Sequence, residues 1–409
     1  MLRLRLISPP FPYAPASLLL LPIMLCSGCR TSVIPLKERP PESAWTLTKT
    51  IAFGPKESVL HLAWNPQSTA VVATENLDFA SLAAESRLVI VYADGTKREL
   101  TTGYRDSQPQ WSPDGNELVF VRGAKELTPE EARLLAKLPP PPDISETSVR
   151  AAIHKSQLND LWITDLGGHS FPLTPRSGER AFMCPRWSPT RNQIGAGMLD
   201  MSKRGFTLSI WLGTAKPGDV EPRLFPAPKG AEGVGALKWD PSGTTLAAML
   251  TFIFGAHPLR ELQWLDLTYP NAGQWRRLTD REDVKPGQEL FWSKRPPRIQ
   301  FSTRDGGELN LWTISLDTGV VQRFCPTPAV PDDTHEACWN SIGTEALLVE
   351  YTEDREGKGS SALFLVGSDG QPRKIYSGGR LSSAAWSPDG KTISVVQDGN
   401  KVCFLSQHG

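Results

Sequence analysis

The sequence predicts an all-β fold: a seven-bladed β-propeller of four-stranded blades, with the last blade closed by an N-terminal strand. Three observations predict it. Seven times a tryptophan closes a short apolar stretch and leads into a tight turn, at Trp64, Trp111, Trp187, Trp239, Trp292, Trp339 and Trp386. Their successive separations are 47, 76, 52, 53, 47 and 47 residues, and a period of roughly 40–50 residues marks a repeat architecture. Each interval then reads as four short strands divided by turn residues, the content of a propeller blade. Finally, the seventh interval runs out one strand short, while an unassigned strand precedes the first tryptophan.

The chain opens on segments that stand outside the fold. Arg3 and Arg5 form a positive region, and Leu18–Leu25 is an apolar run well below the ~20 residues that span a bilayer. The following Cys26-Ser27-Gly28-Cys29 resembles a bacterial lipobox. That resemblance implies a lipoprotein signal peptide over 1–28 and lipidation of Cys29; an ordinary cleaved secretion signal is the other reading. Arg30, rather than the aspartate associated with inner-membrane retention, follows Cys29. This implies an outer-membrane anchor facing the periplasm. Residues 29–44 then form the lipidated cysteine and a proline-rich tether, and 45–409 the propeller.

The sixth interval shows the blade pattern most fully. Glu336–Trp339 is a first strand, Asn340–Thr344 a turn, and Ala346–Tyr351 a second strand apolar enough to be buried on both faces. Glu353–Ser361 is a polar loop, Ala362–Val366 a third strand, Ser368-Asp369-Gly370 a turn and Arg373–Tyr376 a fourth strand. Third strands elsewhere are Leu88–Tyr92, Leu161–Thr164, Leu208–Leu212, Leu262–Leu265 and Leu311–Ile314. After Trp386, Thr392–Val396 and Val402–Leu405 supply strands two and three, and Trp45–Phe53 is expected to supply the fourth. Such closure removes free sheet edges. The repeat tryptophans read as blade-to-blade packing.

The 76-residue interval holds one large insertion, 123–157, in blade 2. Thr128-Pro129-Glu130-Glu131 is a capping box that opens a helix through Leu138. Pro139–Pro142 breaks it, and Ser145–Lys155 is a second helical candidate. The hairpin reads as a lid, a partner-binding element or a decoration.

The repeats Trp111-Ser112-Pro113-Asp114-Gly115 and Trp386-Ser387-Pro388-Asp389-Gly390, with Leu161-Trp162 and the recurring Leu-Thr of Leu100-Thr101 and Leu173-Thr174, resemble the TolB-type, WD40-like (PD40) propeller repeat. The resemblance spans roughly residues 55–407. It implies a TolB-like lipoprotein that binds envelope proteins.

Residues one and three before each tryptophan are often polar, and the one between them mostly apolar. This alternation places His61, Gln108, Arg186, Lys238, Glu289 and Glu336 on a wet surface, the wall and mouth of the central channel. Such a wall accommodates water alone, or a small-molecule or glycan ligand.

Lys+Arg and Asp+Glu number 44 each, which argues against a nucleic-acid partner. The histidines form no HExxH or HxxxH spacing, and no G-x-S-x-G elbow or glycine-rich phosphate loop occurs. No metal or cofactor is therefore expected. Cys184, Cys325, Cys338 and Cys403 match no zinc spacing, leaving structural burial or a disulfide. The expectation is a non-catalytic, lipid-anchored protein-binding scaffold, with the membrane reached only through the anchor. The alternative is a glycan- or peptide-binding protein or a glycan-active hydrolase, with Glu289 and Glu336 as its paired acids.

Overall fold

Twenty-eight strands and no helix make up the described residues, and they group in chain order into seven four-stranded antiparallel units. In this computed structural model the description covers 45–407, apart from 79–84, 124–157, 176–177, 202–206, 217, 219–220, 255–256, 269–271, 279–285, 295–296, 306–307, 317, 327–333 and 354–358. The insertion beyond Gly123 and the segment holding Cys29 lie outside the described residues.

The inner strands are Ser58–Trp64, Arg105–Trp111, Arg180–Trp187, Ala231–Trp239, Pro286–Lys294, Thr334–Trp339 and Leu381–Trp386. Each contacts the inner strand of the next blade, and the seventh contacts the first, so the blades form a closed ring around a central channel. Blades 1 and 2 are also joined by a parallel bridge between Ser86 and Arg105. Trp45–Ala52 pairs antiparallel with Lys401–Gln407 as the outer strand of blade 7, as expected.

The hydrophobic core is divided into seven clusters, each shared by two neighbouring blades. Every cluster holds one repeat tryptophan, that of the later blade of the pair. Three indoles also reach back one blade. Trp64 donates its N–H to the Ala385 carbonyl at 3.2 Å, Trp111 to Ala63 at 2.9 Å and Trp239 to Arg186 at 3.0 Å. Each acceptor is the residue just before the preceding repeat tryptophan. One side chain thus supplies both apolar burial and a directional bond.

In six blades the residue after the tryptophan closes the turn. Ser112 Oγ accepts from the Glu117 N–H at 3.0 Å, and its carbonyl accepts from the Gly115 N–H at 2.9 Å. Gly115 has φ +75°, which favours glycine. Asn65, Asp240 and Asn340 replace this serine, and their Oδ1 atoms accept from Thr69, Thr244 and Thr344 N–H groups at 2.9, 2.7 and 2.9 Å. The Leu-Thr motif acts locally too. Thr101 and Thr174 hydroxyls each accept a backbone N–H, from Leu88 and Leu161, at 3.0 Å.

The four cysteines are free thiols; Cys184, Cys325 and Cys403 are buried and Cys338 is half-buried. Disulfide pairing does not occur among them.

Candidate functional site

The pairing register slips just before the tryptophan in every inner strand, for example between Leu60 and Ala63, Ser107 and Gln110, Met183 and Arg186, and Ser382 and Ala385. A β-bulge therefore recurs around the channel. In four blades the residue three before the tryptophan is left-handed: His61, Gln108, Cys184 and Ser383, with φ between 51° and 53°. None is glycine, so each carries conformational strain held by the surrounding ring. The bulge modifies the simple alternation read from sequence, because a residue beyond it no longer points where period two would place it.

The six expected wall residues all lie on inner strands, in blades 1 to 6. Gln108 is tied into the wall, where its Oε1 accepts the Cys184 N–H at 2.7 Å across the seam of blades 2 and 3. Arg186 and Lys238 are half-buried at equivalent positions in neighbouring blades. Glu289 and Glu336 occupy equivalent backbone positions three before their tryptophans, and their side chains lie outside the described residues. His61 is the most perturbed titratable group of the wall. Burial, and then the positive charge of Arg186, lower its pKa to about 4, so the imidazole is neutral at pH 7.

Strand direction sorts the chain into two faces. The turns after the tryptophans, the end of Lys401–Gln407 and the start of Trp45–Ala52 share one face, since Trp45 pairs with Gln407 and Thr392 with Ser406. The loops between second and third strands and the blade-to-blade connections lie on the other.

That second face carries the longest connection of the chain, between Gly123 and Asn159, and is the long-loop face; two charged clusters sit at its base, and sequence reasoning missed both. In blade 1, Glu75 is 1% exposed, and its Oε2 lies 2.5 Å from Arg87 Nε; Arg87 Nη1 lies 2.9 Å from Glu99. Burial pushes the Glu75 carboxyl up, whereas the Gly54 N–H, donating to Glu57, draws Glu57 down. The two carboxyls influence each other in opposite senses, Glu57 raising the pKa of Glu75 and Glu75 lowering that of Glu57. In blade 2, Asp106 is 0% exposed and accepts from Arg122 Nε and Nη2 at 2.7 and 2.8 Å. Arg122 lies over Tyr104 at 4.0 Å and Trp162 at 4.4 Å, near the end of the strand Glu117–Gly123 that precedes the insertion. Both pairs are cross-strand neighbours, Glu75 with Arg87 and Asp106 with Arg122. A charged residue ending an apolar second strand was the available signal in each case.

Among the described residues no three His, Cys, Asp or Glu side chains converge as a metal site. No helix among them is long and apolar enough to cross a membrane.

No protein-family model matches the chain, and no curated protein does either. Solved structures do match. Oligogalacturonate lyase from Vibrio parahaemolyticus aligns with a TM-score of 0.59 at 9% identity, over 89% of this chain and 97% of that one. A chain of the mitotic checkpoint complex aligns with a TM-score of 0.55 at 14% identity, over 92% and 100%. TolB from Acinetobacter baumannii aligns with a TM-score of 0.44 at 15% identity, over 88% and 66%. The alignments with oligogalacturonate lyase show that this chain shares its propeller fold. One fold hosts many activities, so function rests on the chain's own residues.

Proposed function

We propose that this chain is a non-catalytic, lipid-anchored β-propeller that binds proteins at the cell envelope through its long-loop face. The observation that carries this reading is the point of entry into the ring. Trp45 begins on the turn face, beside Gln407, and residues 29–44, read as a tether, precede it in the chain. An anchor there leaves the opposite face, with its longer loops, directed away from the bilayer. Long loops on a rigid closed scaffold are where propellers commonly place recognition. The Asp106–Arg122 pair then serves as a rigid footing for the insertion. The anchored protein faces the periplasm from the outer membrane.

The test is capture of crosslinked partners from envelope extracts by the acylated full chain and by a variant lacking 124–157. Partners retained by the first and lost by the second support the reading. An unchanged partner set removes the insertion from it. Protein recovered in the soluble fraction with Cys29 unmodified removes the anchor.

A further inference from the structure

We propose that Arg186 anchors a carboxylate-binding site in the wall of the central channel, with the His61 imidazole beside the bound group. Arg186 ends the inner strand of blade 3, one residue before Trp187, toward the turn face. Its carbonyl is fixed by the Trp239 indole, so its backbone is held between two blades. The guanidinium is half-buried, and among the described residues no carboxylate pairs with it. Its Nη1 donates only to the adjacent Pro185 carbonyl at 2.8 Å, and its Nε–H is enclosed without any acceptor.

A buried donor without an acceptor costs about 1–3 kcal/mol. The chain carries that cost at a cationic group on a channel wall, a place that favours an anion. The Nη1–Nη2 edge of the guanidinium matches a carboxylate with two parallel N–H bonds, one from each nitrogen. Arg186 brings a positive charge, Lys238 lies at the equivalent position of the neighbouring blade, and His61 is held neutral by burial and by Arg186 itself. Geometry narrows the class, because a carboxylate presents two coplanar oxygens to the planar guanidinium. The chain end or acidic side chain of a partner peptide, or a uronate sugar, carries the required group. The site is at the opposite end of the channel from the long-loop face and stands whether or not that face binds protein.

The experiment uses the full chain in detergent and three small probes: N-acetylglycine, its neutral amide, and inorganic phosphate. The His61 ring resonance reports binding in the unaltered protein. N-acetylglycine is expected to shift it saturably and to raise its midpoint above about 4, because a carboxylate offsets the charge of Arg186. The amide is expected to leave it unmoved. Arg186→Gln should weaken N-acetylglycine at least ~10-fold, Arg186→Lys less, and Arg191→Gln, outside the channel wall, not at all. Absence of a saturable shift, an equal effect of the amide, or undiminished binding by Arg186→Gln would overturn the site. Tighter binding of phosphate than of N-acetylglycine would overturn the carboxylate assignment.

Discussion

The indole of Trp111 donates its N–H to the Ala63 carbonyl at 2.9 Å, one residue before the repeat tryptophan of the preceding blade. Trp187, at the same repeat position, has a buried N–H with no acceptor. The two therefore separate packing from hydrogen bonding. Trp111→Phe should cost about 1 kcal/mol more than Trp187→Phe, because only the first breaks a bond and strands a carbonyl. Urea unfolding of the two variants measures the difference.

Ring closure depends on the outer strand of blade 7. Trp45 is buried and packs edge-on against Trp386, with ring centroids 5.4 Å apart. Leu47, two residues on, is 45% exposed. Trp45→Ala is expected to cost ~3–5 kcal/mol through the cavity it leaves. Leu47→Ala should cost well under 1 kcal/mol, as surface changes do. Equal thermal unfolding of the two variants would show that the strand contributes little to closure.

The Asp106–Arg122 pair is almost fully enclosed, so removing one partner leaves an uncompensated group. Asp106→Asn should destabilise by ~3–5 kcal/mol, and the Asp106→Asn/Arg122→Met double variant by less than Arg122 left alone in Asp106→Asn. The exposed Arg373–Glu345 pair, 2.6 Å apart, is the control, with an expected loss within ~1 kcal/mol. Denaturant midpoints across the cycle decide it.

Glu75 and Glu57 respond to pH in opposite senses. The folded pKa of Glu75 is raised, so its contribution is present below the ordinary carboxylate range and is lost as pH rises through the folded value. The folded pKa of Glu57 is lowered, so its contribution is present above that range and is lost as pH falls. Glu75→Gln mimics the protonated acid. Relative to the variant, the wild type should lose stability as pH rises from about 4 toward 7. A stability difference flat across that window contradicts the raised pKa of Glu75.

His61 titrates at about 4 in the folded chain and near 6.5 when unfolded. Its folded pKa is depressed, so its contribution is present above about 6.5 and is lost as pH falls toward 4. His61→Gln should remove that part of the acid sensitivity. Arg186→Gln should raise the His61 midpoint yet leave it below 6.5, because burial, the larger cause, remains. A ring-proton titration checks both.

Much of the fold was legible because it is repeated. The tryptophans marked the blades, Asp-Gly and Ser-Pro marked the turns, and the missing last strand pointed to Trp45–Phe53. The wall was legible only as a set of inner-strand positions. His61 and Arg186 are 125 residues apart in the chain by their numbers, yet the charge of Arg186 adds to burial in lowering the pKa of His61. No local pattern carries such a relation.

The sequence alone determined the blade count, the closing strand and the interfaces that the tryptophans fill, because these follow from local periodicity repeated seven times. The tertiary structure decided the rest: the bulge that turns His61, Gln108, Cys184 and Ser383 left-handed, the enclosure of Asp106 with Arg122, and the unspent donors of Arg186. Each of these depends on cross-strand register and on which blade faces which across the ring. Register and ring geometry arise from contacts between residues far apart in the chain.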